Sequence, residues 1–272
     1  MEKLVFILLF LLLLISCVSA QNTHQFGARA KGMGFTSSTM KDGWSLFNNP
    51  AGLSELTDLA AIGGFENKYG IEGLNTIAAG IYSPAPTGVV GLSFLKFGDD
   101  LYHEQELSLN YANHFGLAGL GIRLNYSQYH MEGYGNKSFV TIDFGGIASL
   151  SDQLLVGAYI NNVNQPQISE FENERVPISL QAGVSYQPTA AVTLNAEVEK
   201  DIDYDTTLKL GLEYVFLKYI ALRTGAQTSP FIQYFGLGFF TSRLKVDYAL
   251  SNNNKLGFTH QVGISHIIKS HQ

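Results

Sequence analysis

From about residue 57 onward, hydrophobic and polar positions alternate with a period of two. Val140, Ile142 and Phe144 alternate with Thr141, Asp143 and Gly145. Val192, Leu194, Ala196 and Val198 alternate with Thr193, Asn195, Glu197 and Glu199, and Leu244, Val246, Tyr248 and Leu250 with Lys245, Asp247 and Ser251. This period puts one set on each face of a β-strand. Turn chemistry punctuates the runs at Pro84-Ala85-Pro86-Thr87-Gly88, Asn113-His114-Phe115-Gly116, Ser151-Asp152-Gln153, Gln187-Pro188-Thr189 and Asn252-Asn253-Asn254. Longer connections are expected near Gly98 to His103, His130 to Lys137, Gln165 to Arg175 and Lys200 to Thr206. The runs number about 14, starting near Asp58, Leu74, Thr87, His103, Leu117, Ser138, Leu154, Pro177, Ala191, Thr207, Ile220, Phe231, Arg243 and Leu256. An even count with short and long connections in alternation predicts an all-β, transmembrane antiparallel barrel over residues 57–272.

A soluble sandwich would alternate in the same way. Composition separates the two. Charged residues are 15% of the chain, against about 25% in soluble domains. The chain carries 14 Tyr and 18 Phe. Tyr82, Tyr111, Tyr126, Tyr129, Tyr186, Tyr214, Tyr219, Tyr234 and Tyr248 fall near strand ends, where interface girdles lie. The net charge of −6 is mild and argues against a nucleic-acid partner.

Residues 1–20 read as a secretion signal: Lys3, an apolar run from Leu4 to Ile15, then Val18-Ser19-Ala20 before Gln21. Leu14-Ile15-Ser16-Cys17 offers lipoprotein processing at Cys17 as the lesser alternative. Cys17 is the only cysteine, so neither a disulfide framework nor a cysteine metal site is expected.

Residues 21–56 break the rhythm. Gly27, Gly32 and Gly34 permit close backbone approach. No strand precedes them, so they make no dinucleotide loop. Thr36 to Phe47 is expected to hold a short helix, ended by Asn49-Pro50, which turn the chain into the first strand. The whole segment is expected to plug the lumen. Arg29 and Lys31 would then pair with inward acids such as Asp143, Glu197, Glu199 or Asp247. Arg123, Lys209, Arg223 and Lys245 fall on the same polar face. Mixed signs there predict a lumen lined by ion pairs.

The segments GARAKGMG (Gly27 to Gly34) and FNNPAGL (Phe47 to Leu53) resemble the start of FadL-type outer-membrane transporters. They are closer still to the shorter PorV/PorQ group associated with type IX secretion in Bacteroidota. VDYAL (Val246 to Leu250) and LGFTHQVGIS (Leu256 to Ser265) resemble that group's last two strands. The resemblance implies a 14-stranded outer-membrane barrel with an N-terminal hatch. The chain is shorter than PorV, so its outer loops must be brief.

Two functions follow as expectations. The first is a PorV/PorQ-like docking component that meets a secretion translocon or exported proteins. The second is a FadL-like passive channel for small hydrophobic molecules. A membrane hydrolase ranks far behind, because the chain has no G-x-S-x-G sequence. No catalytic residue, cofactor or metal site is assigned. His24, His103, His114, His130, His260, His266 and His271 show no helical metal spacing, although His260 and His266 share a strand face.

Overall fold

The computed structural model describes residues 25–167, 175–202 and 205–270. The expected signal sequence and Cys17 lie outside them. Fourteen strands close into one antiparallel barrel in which each strand pairs with its sequence neighbour and β1 pairs with β14. In chain order these are β1 (Leu59–Asn67), β2 (Asn75–Ala85), β3 (Gly88–Gly98), β4 (Tyr102–Phe115), β5 (Ala118–Met131), β6 (Gly135–Ser151) and β7 (Leu154–Asn161). There follow β8 (Ser179–Thr189), β9 (Val192–Asp201), β10 (Thr207–Phe216), β11 (Ile220–Gln227), β12 (Ile232–Phe240), β13 (Leu244–Asn253) and β14 (Gly257–Lys269). Closure leaves no strand edge, the condition a sheet must meet to sit in lipid.

Parity sorts the side chains. On β5, Arg123, Asn125 and Ser127 are buried inside while Leu120, Ile122, Leu124 and Tyr126 are exposed outside. On β10, Thr207, Lys209 and Glu213 point in, and Leu208, Leu210, Leu212 and Tyr214 point out. An apolar wall of this extent is not tolerated by water, and it is the face a transmembrane barrel turns to lipid. Three of the expected girdle tyrosines depart from that role. Tyr82 and Tyr234 are buried on the inner face, and Tyr129 packs edge-on against the inward Phe139 at 5.0 Å. Position near a strand end does not fix the face; parity does.

The barrel has two unlike ends. At the end where β1 begins and β14 finishes, the connections are short, at 86–87, 116–117, 152–153, 190–191, 217–219 and 241–243. The opposite, loop end carries 68–74, 99–101, 132–134, 162–178, 202–206, 228–231 and 254–256. Two connections expected to be long, near Gly98 to His103 and His130 to Lys137, are tight. β4, β5 and β6 run on through those residues, pairing His103 with His130 and His130 with Asn136.

The described part of the segment before β1, residues 25–58, lies inside the barrel. It contains one short helix, α1 (Ala28–Gly32), and two single 3-10 turns, Gly43–Leu46 and Pro50–Leu53. The expected helix over Thr36 to Phe47 is reduced to the first of those turns. Barrel side chains take backbone groups that a helix there would have used: Glu197 accepts from Ser38 N, Asn195 Nδ2 donates to Thr36 O and Arg123 Nη1 donates to Leu46 O. Asn49-Pro50 do not end a helix. Asn49 Oδ1 accepts from Ala51 N at 3.0 Å and caps the second turn, with Pro50 at its first position, where a missing N–H costs nothing. Phe26, Trp44, Leu46, Phe47 and Leu53 form an apolar core with Ala60, Ile62, Ala78, Tyr82 and Val89 of β1 to β3.

Candidate functional site

The lumen contains three ion-pair groups, and each joins the wall to the inner segment. In the first, Arg223 Nε lies 2.6 Å from Glu213 Oε2 and Arg223 Nη1 lies 2.7 Å from Asp247 Oδ1. Arg29 of α1 completes it, with Nη2 2.7 Å from Glu213 Oε1 and Nη1 3.0 Å from Asp42 Oδ2. Asp42 Oδ1 in turn accepts from Trp44 N at 2.9 Å and caps the first 3-10 turn.

In the second group, Lys209 Nζ sits 2.6 Å from Glu199 Oε2 and 3.3 Å from Glu197 Oε1. It also donates to Phe35 O and Gln25 Oε1. Glu197 Oε2 accepts from the backbone N of Ser38 at 2.7 Å. Gln25 Nε2 donates to Tyr159 Oη and Gln181 Oε1 beside it. In the third, Arg123 Nε donates to Asp143 Oδ2 at 2.8 Å, and its Nη1 donates to Leu46 O and Asn48 O, both at 3.1 Å. A separate pair joins Lys31 Nζ to Glu66 Oε2 at 2.5 Å.

The partners differ from those expected. Arg29 and Lys31 meet Glu213, Asp42 and Glu66, and not Asp143, Glu197, Glu199 or Asp247, each of which faces a wall cation. Lys245 shares inward parity with Asp247 but lies at the end of β13, exposed, outside the buried network. Buried charges of this kind are held only where each has a charged partner, as each of these does, although Arg223 Nη2 makes no hydrogen bond.

Sequence reasoning missed the wall's glycines. Gly157 faces Gly183, and Gly211 faces Gly225, across neighbouring strands. Gly64 faces Gly263 and Gly121 faces Gly145 in the same way. A Cβ on Gly225 would fall 2.3 Å from Gly34 N, and one on Gly211 would fall 2.5 Å from Met33 O. A Cβ on Gly157 would strike Ser38 O at 2.1 Å. The inner backbone therefore lies directly against the sheet. The available signal was glycine at inward parity inside strands, which marks close backbone approach. On the segment side, Gly34 takes φ 69°, a conformation costly for other residues. Gly32 meets Gly236 Cα at a built Cβ distance of 3.0 Å, and Gly27 takes φ 133° beside Trp44.

Two cavities flank this wall. A polar one of about 490 Å³ opens at the short-turn end, lined by Arg29, Lys41, Ser149, Asp152, Gln187 and Asn195. An apolar groove of about 620 Å³ lies on the outer face of β8 to β12. There the small Ala196 and Ala226 pair across from Leu210. Tyr186, Phe231 and Phe235 line the groove, and so do Gly211 and Gly225. At those two glycines only backbone separates the outer groove from Met33 and Gly34.

No protein-family model matches the chain, and no curated protein matches it in sequence. Solved structures do match. The CymD monoaromatic hydrocarbon channel aligns over 93% of this chain and 100% of its own, with a TM-score of 0.70 at 12% identity. The Ralstonia pickettii toluene transporter TbuX aligns over 92% of this chain and 100% of its own, with a TM-score of 0.73 at 10% identity. A deletion mutant of the TodX monoaromatic hydrocarbon channel covers 92% of this chain and 100% of its own, with a TM-score of 0.63 at 13% identity. At these identities the likeness is one of fold: this chain has the closed, transmembrane β-barrel architecture of those proteins.

Proposed function

We propose that the chain is a passive outer-membrane channel for small, uncharged hydrophobic molecules, and not an enzyme. The observation that carries this reading is the apolar groove over Gly211 and Gly225, where backbone alone separates the outer face from the inner segment. A hydrophobic solute dissolved in the bilayer enters such a groove at little cost, because apolar contact there replaces apolar contact with lipid. A polar solute gains nothing from it. The fold shared with hydrocarbon channels supports the same reading.

In this account residues 21–56 act as a hatch. Gly27, Gly32 and Gly34 let the hatch backbone lie close to its surroundings. Arg29 and Lys31 anchor it through Glu213, Asp42 and Glu66, and Asn49 with Pro50 sets its last turn. Arg123, Asp143, Glu197, Glu199 and Asp247 line the lumen around it. Following the usual asymmetry of outer-membrane barrels, the short-turn end faces the periplasm.

The secretion-docking role implied by the terminal motifs becomes the second reading, because the similar folds are channels. Filling the groove separates the two. Ala226→Trp in reconstituted vesicles should slow entry of a toluene-like probe several-fold while leaving the barrel folded. Unchanged entry would remove the groove from the path.

A further inference from the structure

The loop end carries a pair of histidines that the channel reading does not use. β4 and β5 set His103 and His130 directly opposite each other. Their parity is outward, since the neighbouring Glu104 is buried within and Tyr129 packs inward on Phe139. Both are half-buried. Their rings lie 4.7 Å apart between centroids and 25° from parallel.

Hydrogen bonding fixes what each ring offers. His103 Nδ1 lies 3.0 Å from the backbone oxygen of Asp99, and His130 Nδ1 lies 2.6 Å from Asn136 Oδ1. Both oxygens can only accept, so both Nδ1 atoms carry a hydrogen, and in the neutral ring this tautomer leaves the lone pair on Nε2. A histidine that ligates a metal is held in this way: the distal N–H is tied to a carbonyl and the other nitrogen is left free. The support is itself braced. Asp99 Oδ1 accepts from Leu101 N and Tyr102 N at 2.9 and 3.1 Å, which fixes the turn that presents Asp99 O.

The surroundings suit an aqueous ion. The apolar wall ends at the rung of Phe94, Leu107, Tyr126 and Val140. Above it come Lys96, Gln105, Gln128 and Ser138, and then the histidine rung. Two imidazoles on one ion at ~2.0–2.1 Å, near a right angle, have centroids on the order of 4.5–5 Å apart.

We propose that His103 and His130 form a two-imidazole site for a divalent transition-metal ion at the outer rim of the loop end. Among the described residues no cluster of three or more metal-ligating side chains occurs, so water completes the coordination. Two neutral imidazoles with open positions favour copper(II) over nickel(II) and zinc(II).

The test is a copper(II) titration of the full chain in detergent, followed by electron paramagnetic resonance. The wild type should take up copper with two equivalent imidazole nitrogens. His103→Ala and His130→Ala should each weaken binding about tenfold or more and leave a one-nitrogen spectrum. Asn136→Leu keeps both ligands but removes the brace, and should also weaken binding about tenfold. His114→Ala and His260→Ala should change nothing. A one-nitrogen signal in the wild type, or equal affinity in His103→Ala, would overturn the proposal.

Discussion

Arg223 shows how a single residue holds the lumen together. Its guanidinium bridges Glu213 on β10 and Asp247 on β13, and Glu213 also carries Arg29 of the inner segment. Arg223→Met would leave buried Asp247 without a cation and Glu213 with Arg29 alone. Breaking a buried pair from one side costs roughly 3–5 kcal/mol, so the variant should unfold at clearly lower temperature or denaturant in detergent. Adding Asp247→Asn should recover part of the loss, because that uncompensated charge is then gone. A variant as stable as wild type would mean that water already reaches this group. Gly225→Val tests the opposite kind of contact. Its side chain must occupy space held by Met33 and Gly34. Overpacking of this sort costs about 1–3 kcal/mol. Limited proteolysis should then cut the inner segment faster than in wild type, and an unchanged cleavage rate would contradict the close backbone approach.

At the level of elements, the strands were legible in the sequence and the inner segment was not. Every strand begins within three residues of the start expected from alternation and turn chemistry. β7, for instance, starts at Leu154 and β10 at Thr207, where the runs begin. The period-two signal is local, and in a barrel one face meets lipid while the other meets a polar lumen, so the pattern is strong. The inner segment has no such period. Its shape follows from partners far away in sequence: Arg29 reaches Glu213, Ser38 reaches Glu197, and Met33 settles on Gly211. The cross-strand pair of His103 and His130 is equally invisible, because both lie where loops were expected and the register that joins them is set at the far 116–117 turn. Deleting residues 25–54 should leave the fourteen-strand barrel with an unfilled polar lumen. Planar-bilayer recordings should then show a rise in single-channel ion conductance over the full chain. Equal conductance would mean that the segment does not block the lumen.

For the whole molecule, the outer face and the interior ask different things of a solute. The lipid face is apolar, from Leu107 and Leu109 on β4 to Phe235 and Leu237 on β12. The interior is crossed by buried ion pairs and packed with the segment that precedes β1. A water-soluble solute meets charged side chains and tightly packed backbone on its way through. In the proposed account a hydrophobic one leaves the bilayer at the groove over Gly211 and Gly225. The most direct measurement is therefore flux into vesicles carrying the purified chain, with a toluene-like probe and a sugar of similar size run in parallel. The account predicts faster entry of the hydrophobic probe than into empty vesicles, with sugar entry unchanged. Probe entry no faster than into empty vesicles would contradict the channel.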